Sequence, residues 1–182
     1  MRMQLPRPGE RLCLTKGGTV MRVLVAAASK YGATAGIAEA IARRLEDEHL
    51  DVDVLPIEEV DEVGAYDSVV LGSGVYAGRW LRPARRFAEE HASELAARQT
   101  WLFSSGPIGD PPKPEGDSAV KLGDLVTKTG AHEHRVFAGK LDKSRMTFTD
   151  RAIVTAVRSP EGDFRDWEAI AEWAERIAEA LK

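Results

Sequence analysis

The sequence predicts an α/β protein, a doubly wound five-stranded parallel sheet with strand order 2-1-3-4-5. Five short apolar runs alternate with segments of helical spacing along the 182-residue chain, and such alternation implies parallel pairing through right-handed crossovers. The stretches after the first, third and fourth runs are rich in glycine, serine and alanine. In that strand order these three ends meet at one crevice, where α/β sheets bind ligands.

Residues 23–28, apolar and without helical spacing, form the first strand, which starts at about Met21. Ile37, Ile41 and Leu45 then recur every four residues, with Arg43, Arg44, Glu46, Asp47 and Glu48 on other faces, so a helix follows. Residues 52–56 and 66–73 give the second and third strands. A helix is predicted from about Trp80, with Pro83 in its first turn and Ala84, Ala88, Ala92 and Leu95 along one side. Residues 100–104 make the fourth strand, 105–116 a long Pro- and Gly-rich loop, 119–129 a helix and 133–139 the fifth strand. Residues 147–157 read as a helix carrying Phe148, Ile153, Val154 and Val157. The last helix, from about Phe164, is marked by Trp167, Ile170, Ala174, Ile177, Ala178 and Leu181.

Hydrophobic residues at 43% and charged ones at 30% describe a soluble globular chain. No run approaches the roughly 18 apolar residues of a membrane span, and the amino end lacks the apolar core of a signal peptide. The single Cys13 excludes an internal disulfide and a CxxC site. A cytoplasmic setting follows. Residues 1–20 contain Pro6, Pro8, Gly9, Gly17 and Gly18 and no periodicity, so they read as a disordered extension before a domain over 21–182. Four cations against Glu10 give that extension a net charge of +3, leaving −7 on the remainder of a chain whose total is −4. An acidic body argues against nucleic acid as a partner.

The chemistry concentrates in Ser29-Lys30-Tyr31-Gly32-Ala33-Thr34, between a buried strand and an amphipathic helix. The first amides of a helix lack intrahelical partners and sit at the positive end of its dipole, a natural anion site. Gly32 permits close approach, and the hydroxyls of Ser29 and Thr34 can donate to phosphate oxygens. Equally, Ser29 or Thr34 can simply cap the helix. The second loop, Ser73-Gly74-Val75-Tyr76-Ala77-Gly78, offers backbone donors and acceptors and one aromatic, as a flat ring system requires. Tyr76 or Trp80 could stack on such a ring or pack against the sheet. In the third loop, Ser104, Ser105, Gly106, Gly109 and Asp110 would close the other side, although turn chemistry alone explains the same residues. Residues 72–77 also match G-x-G-x-x-A, but they follow the third strand and lack an acidic partner for a ribose.

The spacing S-x-x-G-x-T, followed by Ala38 and Ile41, resembles the phosphate loop of the flavodoxin superfamily, which holds the phosphate of FMN. Lys30 and the small Ala26 and Ala27 depart from the commonest version. Residues 72–79, 137–142 and 162–167 make the chain resemble, from about Met21 onward, the flavodoxin-type protoporphyrinogen oxidase family. That resemblance implies FMN, oxidation of a porphyrinogen within heme biosynthesis, and a quinone as acceptor. A non-enzymatic electron carrier with a redox protein partner is the alternative.

Arg79, Arg82 and Arg86, with Arg85, start the helix beside the proposed ring. Cations there oppose the helix dipole. They read either as a solvated face or, in Arg79 and Arg82, as a grip on substrate carboxylates. No catalytic acid or base is assigned, because a flavin carries the redox chemistry itself. His49, His91, His132 and His134 are scattered, and no metal spacing is present. The apolar positions of 146–157, with Arg145, Arg151 and Arg158, fit either core packing or peripheral contact with a membrane surface.

Overall fold

Strand β1 (Arg22–Ala28) is buried from Val23 to Ala28, which its unbroken apolar run dictates. The computed structural model describes residues 21–106, 120–156 and 159–182. The expected extension over 1–20 lies outside these residues, as do Gly109, Asp110 and Val157.

Five parallel strands pair in the order β2 (Asp51–Pro56), β1, β3 (Ser68–Tyr76), β5 (Gln99–Ser105) and β6 (Glu133–Phe137). This is the predicted 2-1-3-4-5 sheet, with one short strand added. Helices cover both faces. On one side, Val23, Val25, Val70, Trp101 and Phe103 pack with Ile37, Ile41 and Leu45 of α1 (Ala33–Asp47) and Ile170, Trp173 and Ile177 of α6 (Trp167–Ala180). On the other, Leu24, Val69, Leu71 and Leu102 meet Ala84, Phe87 and Ala88 of α2 (Arg82–Glu90), Leu95 of α3 (Ala92–Ala96) and Leu125 of α4 (Leu125–Lys128). Alternation along each strand sends successive side chains to opposite cores.

Three departures from the sequence reading matter for the site. The third strand runs on to Tyr76 and turns back through Ala77 (φ 49°) and Gly78 (φ 73°) into β4 (Arg79–Trp80), pairing Tyr76 with Arg79 and Val75 with Trp80. Two consecutive positive φ values make the tight hairpin whose twist matches its strands. The helix expected from Trp80 therefore opens at Arg82, and His91 (φ −103°, ψ 17°) divides it into α2 and α3. The fifth strand stops at Phe137. Beyond it β7 (Lys140–Leu141) pairs antiparallel with β8 (Gly162–Asp163), a small ribbon that no periodicity announces in two-residue strands. Helix α5 (Phe148–Ala156) lies in the connection between them. Among the described residues no helix is long and apolar enough to cross a membrane.

Candidate functional site

The carboxyl ends of β1, β3 and β5 meet at a cavity of about 260 Å³. Ser29, Lys30, Tyr31, Ala33 and Thr34 line it from the first loop, Gly74 to Ala77 from the second, and Ser105 and Gly106 from the third. Thus all three sequence-identified loops converge.

The first loop is shaped for an anion. Gly32 takes φ 86° at the N-cap of α1, and no side chain caps the helix. The first intrahelical bond runs from the Gly36 amide to the Gly32 carbonyl at 3.0 Å, so the amides before it face the cavity end of the helix without a capping partner. Ser29 Oγ accepts the Gly32 amide at 3.1 Å, which shapes the loop and leaves the serine proton to donate elsewhere. Thr34, 3% exposed, turns Oγ1 toward Gly74, 3.2 Å from where a Cβ on that glycine would stand.

The second and third loops close on each other at the cavity wall. A Cβ on Gly106 would lie 2.6 Å from Val75 Cβ, so only glycine lets the two loops pass. Tyr76 is 38% exposed at the rim. Burial, with Tyr31 and the Asp150 charge close by, pushes its phenol up to about 12, so the ring is neutral throughout the physiological range.

Several predicted residues stand behind the wall. Ser73 is fully buried and turned inward, donating to the Gly74 carbonyl at 2.9 Å and accepting the Leu81 amide at 3.0 Å. Ser104 is also buried, because it accepts Trp80 Nε1–H at 2.7 Å and shares a 2.8 Å hydrogen bond with His134 Nε2. That bond withdraws Trp80, 3% exposed, from any stacking role and anchors the hairpin that carries Tyr76. Trp80→Phe is expected to cost about 1–2 kcal/mol in thermal or denaturant unfolding, from the hydrogen bond alone. Gly32 and Gly78 shape their turns without lining the cavity.

Sequence reasoning missed the far side. Gly139, Lys140, Leu141, Met146, Val154 and Ser159 complete the cavity, brought over it by β7 and α5. The signals were residues 137–142, which carry part of the family resemblance, and the apolar positions of 146–157, neither of which the sequence joins to the site. Asp150 pins this segment to the first loop, accepting from Lys30 Nζ and from the Tyr31 hydroxyl, while the Thr147 amide donates to Tyr31 Oη at 3.3 Å. These donors hold the Asp150 carboxyl below the usual range, and the same ion pair raises Lys30. Helix α5 is therefore neither core nor plain surface. Asp150 and Val154, one turn apart, face the site, whereas Phe148 is 87% exposed.

A second cavity, about 380 Å³, adjoins the first. Tyr76, Ala77, Leu81, Met146 and Val154 give it apolar walls, with Lys30 and Asp150 at its edge. Arg79 stands opposite Tyr76 in the hairpin, and Arg82 opens α2. Both are exposed, neither lines either of these two cavities, and neither has an ion-pair partner among the described residues. Arg86, by contrast, is spent on Glu90 at 2.7 Å.

Comparison with known proteins agrees with this geometry. Residues 24–168 match the family model described as a flavodoxin domain. The chain is 23% identical over 172 residues to protoporphyrinogen IX dehydrogenase [quinone] of Escherichia coli K12, covering 87% of this chain and 95% of that one. Among solved structures, a flavodoxin from the Archaea aligns over 88% of this chain and 99% of its own, with TM-score 0.59 and 19% identity. Oxidised flavodoxin 1 from Bacillus cereus aligns over 88% and 99%, with TM-score 0.60 and 16% identity.

Proposed function

Because the chain belongs to the flavodoxin-domain family, we propose that it is an FMN-dependent dehydrogenase that oxidises a porphyrinogen-like substrate and passes electrons to a quinone. FMN is the cofactor of this domain, and its function is flavodoxin-type redox chemistry. The residues fit the group: the uncapped helix end with two hydroxyls suits a phosphate dianion, and the cavity beside it presents backbone and small side chains from Gly74 to Ala77, Ser105 and Gly106 to the edge of a flat ring. In this reading Ser29, Thr34 and the amides of 33 and 34 hold the phosphate. Tyr76 flanks the ring, and Gly74 to Ala77, Ser105 and Gly106 meet its edge. When bound, the flavin supplies hydride and electron transfer.

The apolar cavity beside the flavin site carries the enzymatic part of the proposal. A carrier needs only an exposed flavin edge, whereas a substrate of porphyrinogen or quinone type needs a walled apolar space next to it. Leu81, Met146 and Val154 supply that wall. Arg79 and Arg82, without carboxylate partners among the described residues and exposed on either side of Leu81, would take propionate-like groups of the substrate. The likeness to the E. coli dehydrogenase over nearly the whole chain supports the same reading.

Anaerobic turnover of protoporphyrinogen IX with a soluble menaquinone analogue tests it, with reduction by a flavodoxin reductase as the contrast. Turnover with the first pair is expected. Reduction by the reductase alone, without porphyrinogen oxidation, assigns the protein to electron carriage. The Arg79→Glu/Arg82→Glu variant should raise substrate KM about tenfold or more at unchanged FMN content.

A further inference from the structure

Four cations surround the phosphate loop, and three are already engaged. Lys30 is paired with Asp150. Lys140 Nζ lies 3.9 Å from Asp163 Oδ2, and Arg165 grips the same carboxylate with Nε at 2.8 Å and Nη2 at 2.5 Å. Arg145 differs. Among the described residues it has no carboxylate within ion-pairing distance, yet its Nη1 stands 3.7 Å from where a Cβ on Gly32 would be.

We propose that Arg145 is a phosphate ligand of the bound cofactor, contributed from outside the phosphate loop. The inference rests on the FMN reading of the site and assigns a residue beyond the three strand-end loops. The turn that presents Arg145 is fixed before any ligand arrives. Asp142 caps it through the Ser144 amide at 3.0 Å, and Glu161 accepts the Lys143 amide at 3.0 Å. Two residues beyond Arg145, the Thr147 amide is tied to Tyr31 Oη. The backbone is thus held over the loop while the guanidinium is left for an incoming anion.

A phosphate dianion at the end of α1 would meet neutral donors from the loop, whose only charged side chain, Lys30, is occupied by Asp150. Arg145 supplies the missing counter-charge, and its planar fork suits two oxygens of one phosphate. Its position between β7 and α5 also joins cofactor binding to seating of the segment that covers the cavity.

The test titrates flavin-free full-length protein with FMN and with riboflavin, which lacks the phosphate. Arg145→Gln is expected to raise the FMN Kd about ten- to a hundredfold and to flatten its salt dependence, with riboflavin affinity changed less than about twofold. Arg145→Lys should recover part of the loss. Unchanged FMN affinity overturns the proposal, and equal weakening of both flavins shows a purely structural role and overturns it too. Failure of the unsubstituted protein to bind either flavin is a different result, which removes the cofactor reading itself.

Discussion

Gly72→Ala is expected to destabilise the protein by about 3 kcal/mol, lowering Tm by roughly 6–12 °C for a chain of this size. Gly72 pairs with Phe103 across β3 and β5, and the phenyl ring lies over the glycine. A Cβ there would fall 2.0 Å from Cζ and 2.2 Å from Cε1 of that ring. The ring cannot swing aside. Phe103 is fully buried, with Phe137 at 6.4 Å and Trp173 at 6.2 Å between centroids, and those two rings meet edge-on at 5.6 Å. Close-packed interiors transmit such strain instead of absorbing it. Thermal denaturation of the flavin-free protein measures the loss. Adding Phe103→Leu should restore part of it, a coupling that separates this clash from a general weakness of glycine replacement. A shift under about 2 °C would contradict the packing described.

The second large effect is on the cofactor. The double variant Ser29→Ala/Thr34→Val is expected to weaken FMN binding about a hundredfold or more, while riboflavin binding changes about threefold at most. Each hydroxyl can donate a charge-assisted hydrogen bond to the phosphate. Ser29 has its acceptor side occupied by the Gly32 amide, so its proton is directed by the loop. Thr34 is buried at the first turn of α1, where an isosteric valine preserves volume and removes only the donor. Fluorescence quenching of both flavins on titration reads the two affinities. Equal losses would mean that the substitutions act on the fold and not on the phosphate.

The sheet was legible because its signals are local. Unbroken apolar runs such as 23–28 can only be buried strands, and Ile37, Ile41 and Leu45 mark one helical face. The turn from β1 into α1, proposed to hold the phosphate, was legible as a cavity wall for the same reason, since strand, small residues and helix are contiguous. The β3–β4 hairpin was not. Residues 74–78 read as loop because Ala77 gives no sign of adopting φ 49°, and the pairing of Arg79 and Trp80 is too short for periodicity. Trp80 looked available for stacking because nothing in one dimension tells that Ser104, twenty-four positions later, accepts its indole proton. The α5 wall was hidden most deeply. Met146, Asp150 and Val154 acquire meaning only through contacts with Lys30, Tyr31 and Tyr76, more than a hundred residues away from the first two.

The flank of α1 offers a last consequence. Ile37, Ile41 and Leu45 find their cover in Ile170, Trp173 and Ile177, and Arg44 reaches Glu175 at 2.8 Å. A nascent chain still attached to the ribosome exposes that oily stripe until the final helix has emerged. A chain cut before Trp167 would keep that stripe bare, and loss of solubility is its expected behaviour.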